Sequence, residues 1–181
     1  MVDKNKIIKA VQELLEAVGE DTNRQGLKDT PDRVARMYEE LTCGYNESVE
    51  EHLSTRFKVA NSDMIVEKDI PFSSLCEHHL MPFFGKVSIA YIPNDEVVGL
   101  SKLARCVEVF ARRLQIQERM TNEIAESIYK ELNAKGVLVL IEAEHTCMTS
   151  RGVNKIGTKT VTVKKIGNID KNEAMQLIMG K

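Results

Sequence analysis

Two short stretches far apart in the chain, Cys76-Glu77-His78-His79 and His145-Thr146-Cys147, hold three of its four histidines and two of its four cysteines. If both serve one site, the fold must bring residue 145 back beside residue 76, since nothing in the local sequence does so. Thiolates and imidazoles are the ligands zinc prefers, and a catalytic zinc uses three of them while keeping a fourth position for water. The cluster offers more ligands than that. Its spare histidines become candidate proton carriers, because imidazole titrates near neutral pH and its lone pair stays free when no metal holds it.

Plainer readings weigh against this. A lone cysteine is usually a small buried apolar residue and a lone histidine a satisfied core or surface residue, and Cys43, Cys106 and His52 receive that reading. For the cluster, a closed structural zinc uses the same residue types and stays open on spacing alone. A Cys76–Cys147 disulfide is not expected. Met1 to Lys9 is charged with no apolar segment behind it, so no signal peptide is read and a reducing cytoplasm is the default.

With 181 residues, 43% hydrophobic and 29% charged, the chain suits one sizeable core. We read a helical region over residues 1–60 and a catalytic domain over residues 61–181, integrated as one unit. A net charge of -2 and a pI near 6.1 give no attraction to nucleic acid or anionic membrane. No apolar run approaches the ~20 residues of a spanning helix. Neither nucleic acid nor membrane is expected as a partner.

Periodicity predicts helices over Lys4–Val18, Thr30–Thr42 and Ser48 to about Arg56. In the first, Ile7, Ile8, Val11, Leu14, Leu15 and Val18 form a stripe. In the second, Thr30 is a possible cap, Pro31 suits the first turn, and Val34, Met37, Tyr38 and Leu41 face inward. Ser48 with Glu51 reads as a capping box. Strands are predicted over Met64–Phe72 and Lys86–Ile92, with Pro82 and Gly85 punctuating the link that carries the first histidine cluster. Helices over Ser101–Leu114 and about Gln117–Asn133 come next, then strands over Val137–Ala143 and Lys159–Ile166. That order predicts an α+β domain, an antiparallel four-stranded sheet covered on one face by the two helices inserted between its strand pairs.

Lys102 and Arg105 fall in the first turns of a helix, the end where the dipole disfavours cations. An anion bound there, with Ser101 as cap, would resolve the mismatch; side chains bent into solvent would do so for a few tenths of a kcal/mol. Arg33, Arg36 and Arg151 repeat the pattern. Glu118, beside Gln117, complements a helix start without any ligand, yet a carboxylate is also the natural acceptor for the paired N–H donors of guanine.

Five segments together resemble the signature stretches of GTP cyclohydrolase I. They are Thr30 to Met37, Ser74 to Phe83, Gly99 to Arg105, Gln115 to Thr121, and His145 to Val153. The resemblance implies a tunnelling-fold (T-fold) subunit. It implies zinc held by Cys76, His79 and Cys147, activating water for attack on C8 of GTP, with His78 and His145 free to transfer protons. It also implies Gln117 and Glu118 at the guanine edge, and Ser101, Lys102, Arg105 and Arg151 at the triphosphate, with Arg33 and Arg36 supplied across a subunit interface. The implied product is 7,8-dihydroneopterin triphosphate with formate released, the entry to folate-type pterins. The implied assembly is a decamer of two pentamers.

The chain departs from the family pattern at Val163, where Ser is usual, and at Ile169, where Phe is common. A non-catalytic, zinc-stabilised nucleotide-binding module is the alternative, although it has no use for Glu118 or for uncommitted histidines. A zinc nucleoside deaminase would carry H-x-E and P-C-x-x-C, which are absent.

Overall fold

The computed structural model describes residues 2–59 and 63–180, so the expected boundary at residues 60 and 61 lies outside the described residues. α1 (Lys4–Ala17) begins at Asp3, whose carboxylate accepts the Lys6 N–H at 3.1 Å. α2 (Thr30–Leu41) packs against it. Asp29 takes the cap position of α2, and Thr30 lies inside the helix, its hydroxyl donating to Gly26 O at 3.3 Å. The expected Thr30 cap is therefore displaced by one residue. Among the described residues, Ala35 is the one buried side chain of this pair, and Leu14, Val18 and Met37 of the predicted stripes are exposed.

After a turn of 3-10 helix at Cys43–Asn46 comes α3 (Val49–His52), where Ser48 Oγ accepts the Glu51 N–H at 3.3 Å. It is one turn long and not the longer helix expected. Leu53 drops into the core, and Arg56 already belongs to β1 (Arg56–Lys58).

The sheet follows. β2 (Ile65–Cys76) pairs antiparallel with β3 (Pro82–Ile92), and β4 (Glu96–Val98) makes a separate ribbon with β1. α4 (Leu100–Ala111), β5 (Leu114–Gln115) and α5 (Gln117–Glu131) come next, then β6 (Gly136–His145), α6 (Thr146–Thr149), β7 (Lys159–Gly167) and α7 (Lys171–Met179). The strand order is β5-β2-β3-β6-β7, with four long strands antiparallel and β5 adding two residues parallel to β2. The predicted α+β sheet with two inserted helices is what forms. Pro82 and Gly85 do not punctuate a link, however, since both lie inside β3. Gly85 is required there because a Cβ would stand 1.9 Å from Glu142 O of β6.

β6 shows how the core is built. Val137, Val139 and Ile141 turn to one face and meet Leu103, Val107, Met120, Ile124 and Ile128 of α4 and α5. Each such side chain, removed from water, contributes roughly 1.5–3 kcal/mol before its entropy cost. Leu138 and Leu140 turn to the other face and meet Ile169 and the Ala174 and Ile178 of α7. The sheet is thus covered in part on both faces, not on one as expected, and Ile169 is buried.

Antiparallel pairing also places the site. The end of β2, the start of β3 and the end of β6 fall at one end of the sheet, with Leu75 opposite Pro82 and Phe83 opposite His145.

Candidate metal centre and active site

The first histidine cluster occupies the tight connection between β2 and β3. Cys76 N–H donates to Met81 O, and Leu80 N–H donates to Cys76 O, each at 2.8 Å, which closes the loop at both ends. Leu80 is held at φ 55, a left-handed conformation costing a non-glycine residue about 1–2 kcal/mol. This closure keeps Cys76 buried at the strand end and turns His79 back toward it. On the other side, Cys147 sits in α6 directly after β6, and Thr146 Oγ1 donates to Pro82 O at 2.6 Å, tying that turn to the start of β3.

As a result Cys76, His79 and Cys147 each present a ligand atom within 4.8 Å of the others, with His79 Nδ1 3.9 Å from Cys76 Sγ. Metal–sulfur bonds of about 2.3 Å and metal–nitrogen bonds of about 2.0 Å, at tetrahedral angles, require ligand separations of about 3.5–3.8 Å. The three side chains therefore fit one metal ion after small shifts, and two sulfurs with one imidazole form a soft set suited to zinc. All four cysteines are free thiols, so no disulfide competes for the pair. Burial, and then the neighbouring Cys76, hold the Cys147 thiol above its ordinary range. His78 Nδ1 also lies 3.9 Å from Cys76 Sγ, but its side chain is 63% exposed and stands outside the group of three.

His145 is the better enclosed of the two spare histidines. Its ring stacks flat on Phe83, centroids 4.6 Å apart and planes 5° apart, and its Nε2 lies 2.8 Å from Gln117 Oε1. Burial lowers its pKa, opposed by the Glu118 carboxylate.

A cleft of about 220 Å³ joins these groups, with His78, His79, Glu118, His145 and Cys147 on its walls. Glu118 is exposed at the start of α5. Gln117 is not: it is 1% exposed and its side-chain amide is bonded within the subunit. It lies against the cleft, with both polar atoms of its side chain already bonded within the subunit. A larger depression of about 470 Å³ lies on the open sheet face, but four of its five charged residues pair among themselves, Lys86 with Asp69 at 3.2 Å and Lys159 with Glu142 at 2.6 Å, and it holds none of the metal-ligand group. The smaller cleft is the chemical one.

The basic residues do not line this cleft. Ser101 is exposed in the first turn of α4, where Gly99 and not Ser101 is the cap; Arg105 is exposed one turn on, and Lys102 is half-buried. Arg33 and Arg36 pair with Asp29 and Asp32 along α2 at 3.3 and 2.9 Å. Arg151 is exposed just beyond α6.

Sequence reasoning passed over three residues that organise the site. Phe83 seats His145. Glu77 is ion-paired with Arg119, whose hydrogen bond, ahead of any other effect, holds the Glu77 carboxyl below the usual carboxylate range. Arg119 also donates to Leu114 O and Gln115 Oε1, each at 3.1 Å, so it clamps the metal-ligand loop to the start of α5. The signal was present, since Glu77 and Arg119 lie inside the two motif segments, but the pairing is visible only in three dimensions.

A family model described as GTP cyclohydrolase I matches residues 7–179. The GTP cyclohydrolase 1 of Clostridium perfringens is 57% identical over 176 residues, covering 97% of this chain and 95% of that protein. That of Clostridium kluyveri is 61% identical over 166 residues, covering 92% and 90%. The crystal structure of the archaeosine synthase QueF-Like in the apo form aligns with a TM-score of 0.51 at 18% identity, covering 61% of this chain and all of that one, a likeness of fold alone.

Proposed function

The chain belongs to the GTP cyclohydrolase I family, and we propose that it hydrolyses GTP at C8, opens the imidazole ring, releases formate and closes the rearranged product as 7,8-dihydroneopterin triphosphate. The observation that carries this reading is the convergence, in one cleft, of a Cys76–His79–Cys147 ligand set with two histidines outside it and the exposed Glu118. A structural metal site needs neither the free histidines nor the carboxylate.

Cys76, His79 and Cys147 hold the metal, taken as zinc from its soft donors. When bound, zinc supplies Lewis acidity and activates water for hydrolysis. His145, seated on Phe83, accepts or returns a proton at the reacting centre, and His78, exposed on the loop beside it, exchanges protons with solvent. The Glu118 carboxylate accepts the adjacent N–H donors of the guanine edge. Ser101, Lys102, Arg105 and Arg151 bind the triphosphate, and a neighbouring subunit contributes Arg33 and Arg36.

Three features support an assembly, for which a decamer of two pentamers is the proposed form. The cleft is smaller than the roughly 300–1,000 Å³ of ordinary ligand pockets. The basic residues lie outside it, and Leu14, Val18 and Met37 leave apolar surface uncovered on α1 and α2. The helical region of residues 1–60 and the T-fold domain of residues 61–181 act as one unit in this reading. The enzyme works in the cytoplasm at the start of pterin and folate synthesis; no described helix is long and apolar enough to cross a membrane.

The test is incubation of zinc-replete protein with GTP, assaying formate together with the pterin triphosphate as fluorescent oxidised neopterin. Formation of both supports the proposal. A metal-loaded, assembled protein that yields neither overturns it and leaves a structural zinc in a nucleotide-binding protein.

A further inference from the structure

Gln117 is a fully buried amide whose every polar atom has a partner. Its Nε2 lies 3.0 Å from Ile141 O, 3.0 Å from Thr160 O and 3.1 Å from Thr162 Oγ1. Two of those partners are carbonyl oxygens, which only accept, so the nitrogen of the amide must face them and the flipped orientation is excluded. The hydroxyls add a direction. Thr121 Oγ1 donates to Gln117 O at 2.7 Å, which leaves Thr162 as donor in the 2.7 Å contact between the two hydroxyls and as acceptor from Gln117. The amide is thereby locked by a ring of bonds running from Gln117 Nε2 through Thr162 and Thr121 back to the Gln117 main chain.

With the nitrogen so placed, Oε1 is the atom 2.8 Å from His145 Nε2. A carbonyl oxygen has no hydrogen to give, so the hydrogen must be on the imidazole.

We propose that Gln117 is a positioning residue that fixes His145 as the Nε2–H tautomer, with the ring lone pair on Nδ1. The inference rests on the proton-transfer role given to His145 above and goes beyond it, since it assigns which nitrogen carries the hydrogen and what selects it. It also moves Gln117 from substrate contact to histidine orientation. Phe83 and Gln117 act on different degrees of freedom, the stack setting the plane of the ring and the amide its rotation within that plane.

The experiment compares wild-type and Gln117→Met proteins, zinc-loaded and assembled, in steady-state kinetics with GTP and in long-range ¹H–¹⁵N spectra of histidine-labelled protein. Only four histidines contribute, and loss of one signal in His145→Asn assigns it. The expected result is a single Nε2–H tautomer in the wild type and a mixture in Gln117→Met, with kcat lower by about tenfold or more and KM for GTP within about twofold. A raised KM at unchanged kcat would make Gln117 a substrate contact and overturn the proposal. So would a wild-type signal showing Nδ1–H. Should Gln117→Met not fold, since it takes a donor from the Ile141 and Thr160 carbonyls, the wild-type spectrum decides alone. If the wild type forms no pterin triphosphate, the proposed function fails, while the tautomer measurement still judges the assignment made here.

Discussion

Phe83→Leu separates the seating of His145 from the integrity of the core. Phe83 is fully buried, edge-on to Phe72 at 5.7 Å and 76°, and flat against His145 at 4.6 Å and 5°. Leucine keeps an apolar side chain of similar bulk, so repacking costs less than about 1.5 kcal/mol, whereas Phe83→Ala opens a cavity costing about 3–5 kcal/mol. Each aromatic pair lost removes a further 0.5–1.5 kcal/mol, roughly. The pair with His145 bears on catalysis: taken off the correctly held ring, that energy lowers kcat about 2- to 13-fold with KM unchanged. Urea unfolding at one fixed subunit concentration and initial rates of formate release measure the two effects on the same sample. A folded, zinc-loaded Phe83→Leu protein turning over at the wild-type kcat would refute the idea that the flat contact holds His145 for reaction.

Cys147→Ser removes one of three ligands from a partly exposed turn, so it should lose zinc while keeping its far-ultraviolet circular dichroism; full metal content by elemental analysis would exclude Cys147 as a ligand. The Glu77 carboxyl is held below its ordinary 4.5 by Arg119, so the stabilisation it adds is complete above that value and lost as pH falls through the lower folded value. Thermal unfolding followed below pH 4.5 should show this acid limb in the wild type and not in Glu77→Gln, and superimposable limbs would refute it. Gly85→Ala drives a Cβ to 1.9 Å from Glu142 O and 2.6 Å from Ala143 Cα, both backbone atoms of a paired strand, so a cost of about 3 kcal/mol or more is expected, seen as a Tm lower by roughly 6–12 °C; an unchanged Tm would mean the β3–β6 ladder yields easily there.

How much of this could be read from the sequence depended on where the determining partner lay. The helix carrying Met120, Ile124 and Ile128 was legible because its signal is internal, a repeat on one face. β6 was legible as a strand but not as one buried on both sides: Val137 to Ile141 is apolar throughout, so alternation gave no second face. The helix that covers that face, Lys171–Met179, went unread because it offers only Ala174, Met175 and Ile178 toward the sheet. β1, β4 and β5 span two or three residues each, too few for any period to show. The stripes of α1 and α2 were read correctly as helical, but Leu14, Val18 and Met37 of those stripes are exposed among the described residues.

The site divides along the same line: the group of Cys76, His79 and Cys147 stood out in the sequence, whereas the contacts of Gln117 did not. A candidate metal ligand is marked by its own chemistry: thiol and imidazole are uncommon enough that clustering singled out five residues, the family resemblance pointed to Cys76, His79 and Cys147 among them, and the ladder needs only to bring β2 and β6 to one end. A glutamine at a helix start has the same chemistry whether it meets a base or a backbone carbonyl. Its meaning is set by Ile141 O and Thr160 O, which reach it only through the pairing of β6 with β7. Phe83 and Arg119 are defined in the same way, by the ring and the carboxylate they touch. Candidate metal ligands are therefore legible as letters, and residues that orient a neighbouring side chain only as contacts. Any change to the register of β6 against β7 should disturb the orientation of His145 while leaving the ligand set in place.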